Sequence, residues 1–282
     1  MNTMIKVQGL SKNYGDFALQ NVSFSLPGGA IMGFVGENGA GKTTTLKCLL
    51  GLVHPDSGEA LIFGQPLSTA AKSDIGVVFD ESYFHDNLTL KNVDTIMSKI
   101  YTNWDSAYFA ALCKKFGLPQ NKVVKQFSRG MKMKLSITAA LAHHPRLLIL
   151  DEATSGLDPI VRDEILDLFL DFIRDEEHSI LFSSHITSDL EKIADYVTLI
   201  HGGKILFSEN KDTLIYSYGV ARCTTVQAAK IAAHDVLAQR KTAMGTEFLL
   251  SEREAFCRRY PEIVVDRVGI EDIMLFYVKG VC

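Results

Sequence analysis

Nine residues constrain this chain more than any other stretch. Gly36-Glu37-Asn38-Gly39-Ala40-Gly41-Lys42-Thr43-Thr44 follows a nearly continuous apolar run, Ala30 to Val35, and precedes a segment of helical character, Thr45 to Leu52. Such a run suits a strand buried on both faces. A glycine turn of pattern Gly-x-x-x-x-Gly-Lys-Thr between strand and helix is a phosphate-binding loop. Its glycines let backbone amides turn inward and approach phosphate oxygens, and the helix N-terminus adds partial positive charge. Lys42 places a point charge on the β- and γ-phosphates, and Thr43 offers a hydroxyl to Mg²⁺. A glycine-rich turn with an incidental lysine is the plainer reading, but it leaves the flanking strand and helix unexplained.

The rest of the chain repeats the theme of apolar strands ending in polar residues. Leu147 to Leu150 is a second buried strand closed by Asp151-Glu152. Open α/β sheets bind ligands at the carboxyl ends of their strands, so two adjacent acids there are aimed rather than merely solvated. Asp151 suits a Mg²⁺ shell, and Glu152 is free to polarise a water against the γ-phosphate. A third strand, Ser179 to Ser184, runs into His185, which joins the same site or is structural. The guanine-reading Asn-Lys-x-Asp pattern is absent. Asn121-Lys122-Val123-Val124 is its nearest approach and lacks the acid, which favours ATP. Tyr14, in the turn before the early strands, offers an aromatic face for a base.

Periodicity fills in the frame. Val22, Phe24 and Leu26 alternate with serines in a half-buried strand, and Pro27-Gly28-Gly29 turns the chain. Leu88 to Leu141 reads as a helical insert. Asp158-Pro159 starts a helix with a carboxylate cap and proline at its first position. Ser188 to Glu191 has the spacing of a capping box. Tyr196–Ile200 and Lys204–Ser208 flank Gly202-Gly203 as a hairpin. Beyond about residue 215, Val226, Ala229, Ala233, Val236 and Leu237 keep helical spacing, which predicts a small packed appendage. Strands alternating with helices imply an α/β core.

Composition excludes other classes. Lys+Arg 29 against Asp+Glu 33 gives a net charge of −4, with no footprint for nucleic acid or a polybasic membrane anchor. No stretch approaches the ~18 apolar residues of a membrane span, and Met1 to Lys6 lacks the features of a signal peptide. Cys48, Cys113, Cys223, Cys257 and Cys282 have no CxxC spacing and read as reduced thiols. These features predict a soluble, cytoplasmic protein that meets a membrane only through a partner.

Over roughly residues 4 to 210, the order and spacing of these motifs resemble the ATP-binding cassette (ABC) ATPases. Phe127-Ser128-Arg129-Gly130-Met131 sits where that family carries its LSGGQ signature, Ser155-Gly156-Leu157-Asp158 looks like its D-loop, and His185 like its switch histidine. Tyr14 matches the aromatic that stacks on adenine. The resemblance implies a P-loop NTPase fold with an antiparallel β subdomain and a helical subdomain at about 82–141. The ATPase domain would span 1–215 and a small extension 216–282. It further implies head-to-tail pairing with itself or a paralogue, Ser128 and Gly130 of one subunit contacting the γ-phosphate held by Lys42 of the other. Glu152 would be general base, His185 would contact the γ-phosphate, and Asp158 would communicate across the dimer. Two departures stand out. Asp80, followed by Glu81, replaces the Q-loop glutamine, where aspartate can still ligate Mg²⁺. Arg129 and Met131 replace the first glycine and the glutamine of the signature. Arg129, Lys132 and Lys134 read as a basic edge or, more plainly, as a solvated helix face. The signature, the single cassette and the short extension resemble ATPase subunits of bacterial ABC-2-type exporters, peripheral at the inner face of the membrane beside separate integral subunits. Alternatives are a soluble ABC ATPase with no transporter, or a regulatory module that binds ATP without useful turnover, against which Glu152 argues.

Overall fold

The computed structural model describes residues 3–80 and 83–280; Glu81 and Cys282 lie outside them. The N-terminal part contains β1 (Thr3–Asn13), β2 (Ala18–Pro27), β3 (Ile31–Val35), α1 (Lys42–Leu49), β4 (Ser57–Ile62), β5 (Gln65–Pro66) and β6 (Ile75–Val78). The helical insert holds α2 (Leu90–Ile100), α3 (Ser106–Lys115) and α4 (Arg129–Leu141). There follow β7 (Leu147–Asp151), α5 (Pro159–Phe172), β8 (Ser179–Ser184), α6 (Thr187–Ile193), β9 (Tyr196–His201), β10 (Lys204–Asn210) and α7 (Lys211–Ser217). The C-terminal part contains β11 (Gly219–Cys223), α8 (Thr225–Ala228), β12 (Ala238–Thr242), β13 (Gly245–Leu250), α9 (Arg253–Arg259), β14 (Val264–Asp266) and α10 (Ile270–Lys279).

A six-stranded sheet of order β10-β9-β3-β8-β7-β6 carries the site. All but β10 run parallel, with Val35 beside Ser184, Asp151 beside Ser183 and Val78 beside Leu150. That register brings the ends of β3, β6, β7 and β8 to one edge. The strands are apolar throughout because both faces are covered. Ile31, Leu148, Leu150, Ile180 and Phe182 face α4, α5 and α6, while Met32, Phe34, Leu147, Ile149 and Leu181 face the antiparallel sheet β2-β1-β4-β5. The predicted α/β core with an antiparallel start is present.

Helix α4 is the wall between two cores. Met133, Ile137, Ala140 and Leu141 pack on the parallel sheet, whereas Leu135 and Ala139 join Leu90, Val93, Phe109 and Val124 inside the helical insert. Helix α5 begins as its sequence predicts, with Asp158 Oδ1 accepting from the Val161 amide at 3.0 Å and proline at the first position.

Four local expectations need correction. Helix α1 begins at Lys42 rather than Thr45, because left-handed Gly41 ends the loop at once. Ser188 to Glu191 lies inside α6, which starts at Thr187 without a side-chain cap, since Asp189 is drawn into the core instead. Lys134 is no part of a solvated face. It is 8 % exposed, its ammonium 2.6 Å from Glu164 and over the Phe116 ring.

The last correction concerns the appendage, whose helical spacing misled: it is built on a four-stranded antiparallel sheet, β12-β13-β11-β14, and Val226 is 71 % exposed. One face of that sheet has its own small core, including Phe248, Phe256 and Ile263. The other face, with Leu249 and α10 residues Ile270, Ile273 and Phe276, merges with the main core around Leu190, Ile193 and Leu214. Glu191 Oε1, on α6, accepts from the Ile270 amide at 2.8 Å and fixes the start of α10. No helix among the described residues is long and apolar enough to cross a membrane. Cys48, Cys113, Cys223 and Cys257 are unpaired, and burial pushes the Cys113 thiol up to about 12.

Candidate nucleotide site

The loop after β3 closes on itself before it meets any ligand. Gly41 takes φ +114°, a conformation that side chains rarely adopt, and hands the chain to α1 with its carbonyl accepting from the Thr45 hydroxyl at 2.9 Å. Lys42, only 5 % exposed, curls back so that Nζ donates to the Gly36 carbonyl at 2.6 Å and the Glu37 carbonyl at 3.3 Å. The same ammonium lies 3.1 Å from Glu152 Oε1.

β7 delivers the acids. Asp151, 3 % exposed, accepts from Thr43 Oγ1 at 2.7 Å on Oδ2 and from Ser183 Oγ at 2.8 Å on Oδ1. Strands β7 and β8 and helix α1 therefore meet at one carboxylate. Glu152 sits at φ +54°, the left-handed region, as the chain turns sharply out of the sheet. For a residue with a side chain this conformation costs on the order of 1–3 kcal/mol, and such strain gathers at working sites. The turn is braced by the Glu152 amide donating to Ser183 O at 3.0 Å and the Ser155 amide donating to Glu152 O at 3.0 Å. The carboxylate is split between two partners: Oε2 lies 2.6 Å from His185 Nδ1, and Oε1, which accepts no hydrogen bond among the described residues, lies 3.1 Å from the Lys42 ammonium.

A cavity of about 480 Å³ opens in front of these groups, lined by Phe17, Glu37, Asn38, Gly39, Gly41, Lys42, Thr43, Thr44, Asp80, Asp151 and Glu152. Gly36, buried Ala40 and His185 do not line the cavity, and His185 reaches it only through Glu152. Ser128 and Gly130 do not line the cavity. Ser128 caps α4, its Oγ accepting from the Met131 amide at 3.2 Å, and Gly130 lies in the first turn facing Val161. Tyr14 is 53 % exposed and outside the lining, with the Lys12 ammonium 5.8 Å above its ring. Phe17, three residues on in the same turn, forms the wall instead. Asp80 reaches the cavity, but its Oδ1 accepts from Arg129 Nη2 at 2.8 Å.

Sequence reading missed several of these parts. Ser183, which orients Asp151, was read only as strand. Asp189, 1 % exposed, accepts from Thr154 Oγ1 at 2.7 Å and lies 3.2 Å from Arg162 Nε. It ties the loop after Glu152 to the helix after His185. Burial, its largest influence, pushes the Asp189 carboxyl above the usual carboxylate range. A signal existed in the placing of an acid four residues beyond His185 and a basic residue four beyond Asp158, but only contact reveals the pair.

A glycine loop between β3 and α1, facing the acids that close β7 at the edge of a parallel sheet, defines the class of the fold, a P-loop nucleoside triphosphatase. Comparison with known proteins narrows the class. Residues 19–155 match the family model described as ABC transporter. The chain is 40 % identical over 212 residues to the bacitracin transport ATP-binding protein BcrA of Bacillus licheniformis, covering 73 % of this chain and 69 % of that protein. It is 37 % identical over 211 residues to the lantibiotic transport ATP-binding protein SrtF of Streptococcus pyogenes, covering 74 % and 92 %. A solved ATP-binding subunit of an ABC transporter superposes with a TM-score of 0.68 at 27 % identity, over 75 % of this chain and 91 % of that one. The chain belongs to the ABC transporter ATP-binding family and is an ATPase.

Proposed function

We propose that this chain hydrolyses MgATP to drive export through separately encoded membrane subunits, docked at the inner face of the membrane. The transport names of the bacitracin and lantibiotic relatives support the coupling. The observation that carries the chemistry is the pair of contacts at the strand ends: Thr43 on Asp151, and Lys42 and His185 on Glu152.

In this reading the amides of residues 37–44 cradle the α- and β-phosphates, and the α1 N-terminus adds its dipole. Lys42 leaves Glu152 for the β- and γ-phosphates. Its release frees Oε1 to accept a proton from the attacking water. His185 holds Glu152 from the other side and reaches toward the γ-phosphate. Thr43 Oγ1 and Asp151 Oδ2, hard oxygens 2.7 Å apart at the cavity floor, fit Mg²⁺, an ion that takes one or two carboxylates and completes its shell with phosphates and water. When bound, it neutralises charge developing on the β- and γ-oxygens. Tyr14 and Phe17, from one turn, supply the aromatic surface for the base. Ser128 and Gly130, standing apart from the cavity of their own chain, serve the cavity of a second cassette in a head-to-tail dimer. Residues 1–215 form the ATPase unit, and 216–282 pack onto it as an extension.

Two measurements test this reading. Phosphate release from ATP by the purified chain must require Lys42, and pull-down from membranes must recover an integral protein with several spans. Hydrolysis without any such partner points to a cassette uncoupled from transport. Undiminished hydrolysis by Lys42→Ala removes the assigned site.

A further inference from the structure

The cavity has an unusual charge balance for a site that receives a triphosphate. Among the described residues, four carboxylates line it, those of Glu37, Asp80, Asp151 and Glu152, against the single ammonium of Lys42. Asp151 is engaged by Thr43 and Ser183, and Glu152 by Lys42 and His185. Asp80 has no partner among the described residues that line the cavity. Its partner comes from outside: Arg129, the first residue of α4, whose Nη2 donates to Oδ1 at 2.8 Å.

The other arm of the same guanidinium rests on the loop after β7. A Cβ built on Gly156 would lie 2.6 Å from Arg129 Nη1, so the guanidinium packs against the backbone at Gly156 and any side chain there would push it aside. One side chain thus joins the loop leaving β6, the start of α4 and the loop that carries Glu152. Both members depart from the family pattern, an acid standing for an amide and a base for a glycine, and the two departures meet in space.

We propose that Arg129 is a charge-compensating positioning residue for nucleotide binding, and that Asp80 is its ion-pair partner rather than a metal ligand. The inference rests on the nucleotide reading of the cavity. Without Arg129, Asp80 presents an uncompensated negative charge to an incoming polyanion. With it, the carboxylate is neutralised and held against the insert. The pair is half-exposed, 55 % and 53 %, so its effect is modest, screened by salt, and confined to affinity.

The test titrates the purified chain and its variants with a fluorescent ATP analogue in Mg²⁺, alongside phosphate-release kinetics. Arg129→Ala should weaken binding about two- to fivefold, the range of exposed ion pairs, raising KM with little change in kcat. Adding Asp80→Asn to that variant should restore the parent affinity, because the unbalanced charge is gone. Arg129→Lys should stay close to the parent. The deficit of Arg129→Ala should widen at low salt. Unchanged affinity in Arg129→Ala, or a deficit that Asp80→Asn does not repair, overturns the inference, as does Asp80→Asn alone abolishing binding, which would make Asp80 a metal ligand. A failure of the underlying reading looks different: the parent and Lys42→Ala would bind the nucleotide alike.

Discussion

Removing the Lys42 ammonium from the nucleotide-free protein should destabilise it measurably. Lys42 is 5 % exposed and hydrogen-bonded to the Gly36 carbonyl, and its ion-pair partner Glu152 has a side chain 13 % exposed with Oε1 accepting no hydrogen bond among the described residues. Deleting one member of a buried pair costs about 3–5 kcal/mol, since the remaining charge stays desolvated. The cavity in front of Glu152 admits some water, which puts Lys42→Ala at the lower end, about 3 kcal/mol. For a chain of this size each kcal/mol moves the melting temperature by about 2–4 °C, so a drop of roughly 6–12 °C is expected. Scanning calorimetry without nucleotide measures it. Because much of the loss is the stranded carboxylate, Glu152→Gln in the Lys42→Ala background should recover about 1–3 kcal/mol, a coupling that the double-mutant cycle isolates. A melting temperature within a degree or two of the parent would refute the reasoning. So would additive effects of the two substitutions, because the ammonium and the carboxylate would then not depend on each other.

Three further outcomes follow from the geometry. Glu152→Gln should slow phosphate release by about 10²–10⁴-fold while nucleotide binding persists; normal turnover would move the general base elsewhere. Ser128→Arg should leave ATP binding by the single chain intact and block ATP-driven dimerisation, read by light scattering, whereas dimers that still form would dismiss the trans contact. His143 is buried, stacked on Tyr101 with ring centroids 4.0 Å apart, and burial above all lowers its pKa from 6.5. The unfolded chain therefore takes up the proton first on acidification. The stability that this histidine contributes is full above pH 6.5 and is lost as pH falls through the lowered value. His143→Gln should flatten the fall of melting temperature below pH 6.5, and an unaltered slope would rule that contribution out.

What could be read from the residues follows from how local each signal is. Ala30 to Val35 and Leu147 to Leu150 announce buried strands because both of their faces are covered, so no polar residue interrupts them. Asp158-Pro159 marks a helix start because cap and proline act within one turn. The C-terminal sheet was hidden for the opposite reason. β12 is Ala-Gln-Arg-Lys-Thr, an edge strand with one buried residue, while the apolar spacing around Val226 belongs to a short exposed turn of helix. Within the site, the loop, Asp151, Glu152 and His185 each end a recognisable strand. Phe17 against Tyr14, Thr154 and Arg162 against Asp189, and Asp80 against Arg129 were not legible. The partners of Asp189 and Asp80 come together only once β6, α4, α5 and α6 are packed, and one-dimensional spacing carries no record of that.

The shared core beneath α10 has a practical consequence for anyone shortening this protein. His185, the last side chain placed at the site, precedes α7, which invites a cut after that helix. Such a cut would strip Leu249, Ile273 and Phe276 from Leu190, Ile193 and Leu214 and leave Glu191 Oε1 without the Ile270 amide, baring an apolar surface on α6, the helix that follows His185. The fragment would keep the phosphate loop, the two acids and the histidine, and lose part of the core on which the next helix is packed.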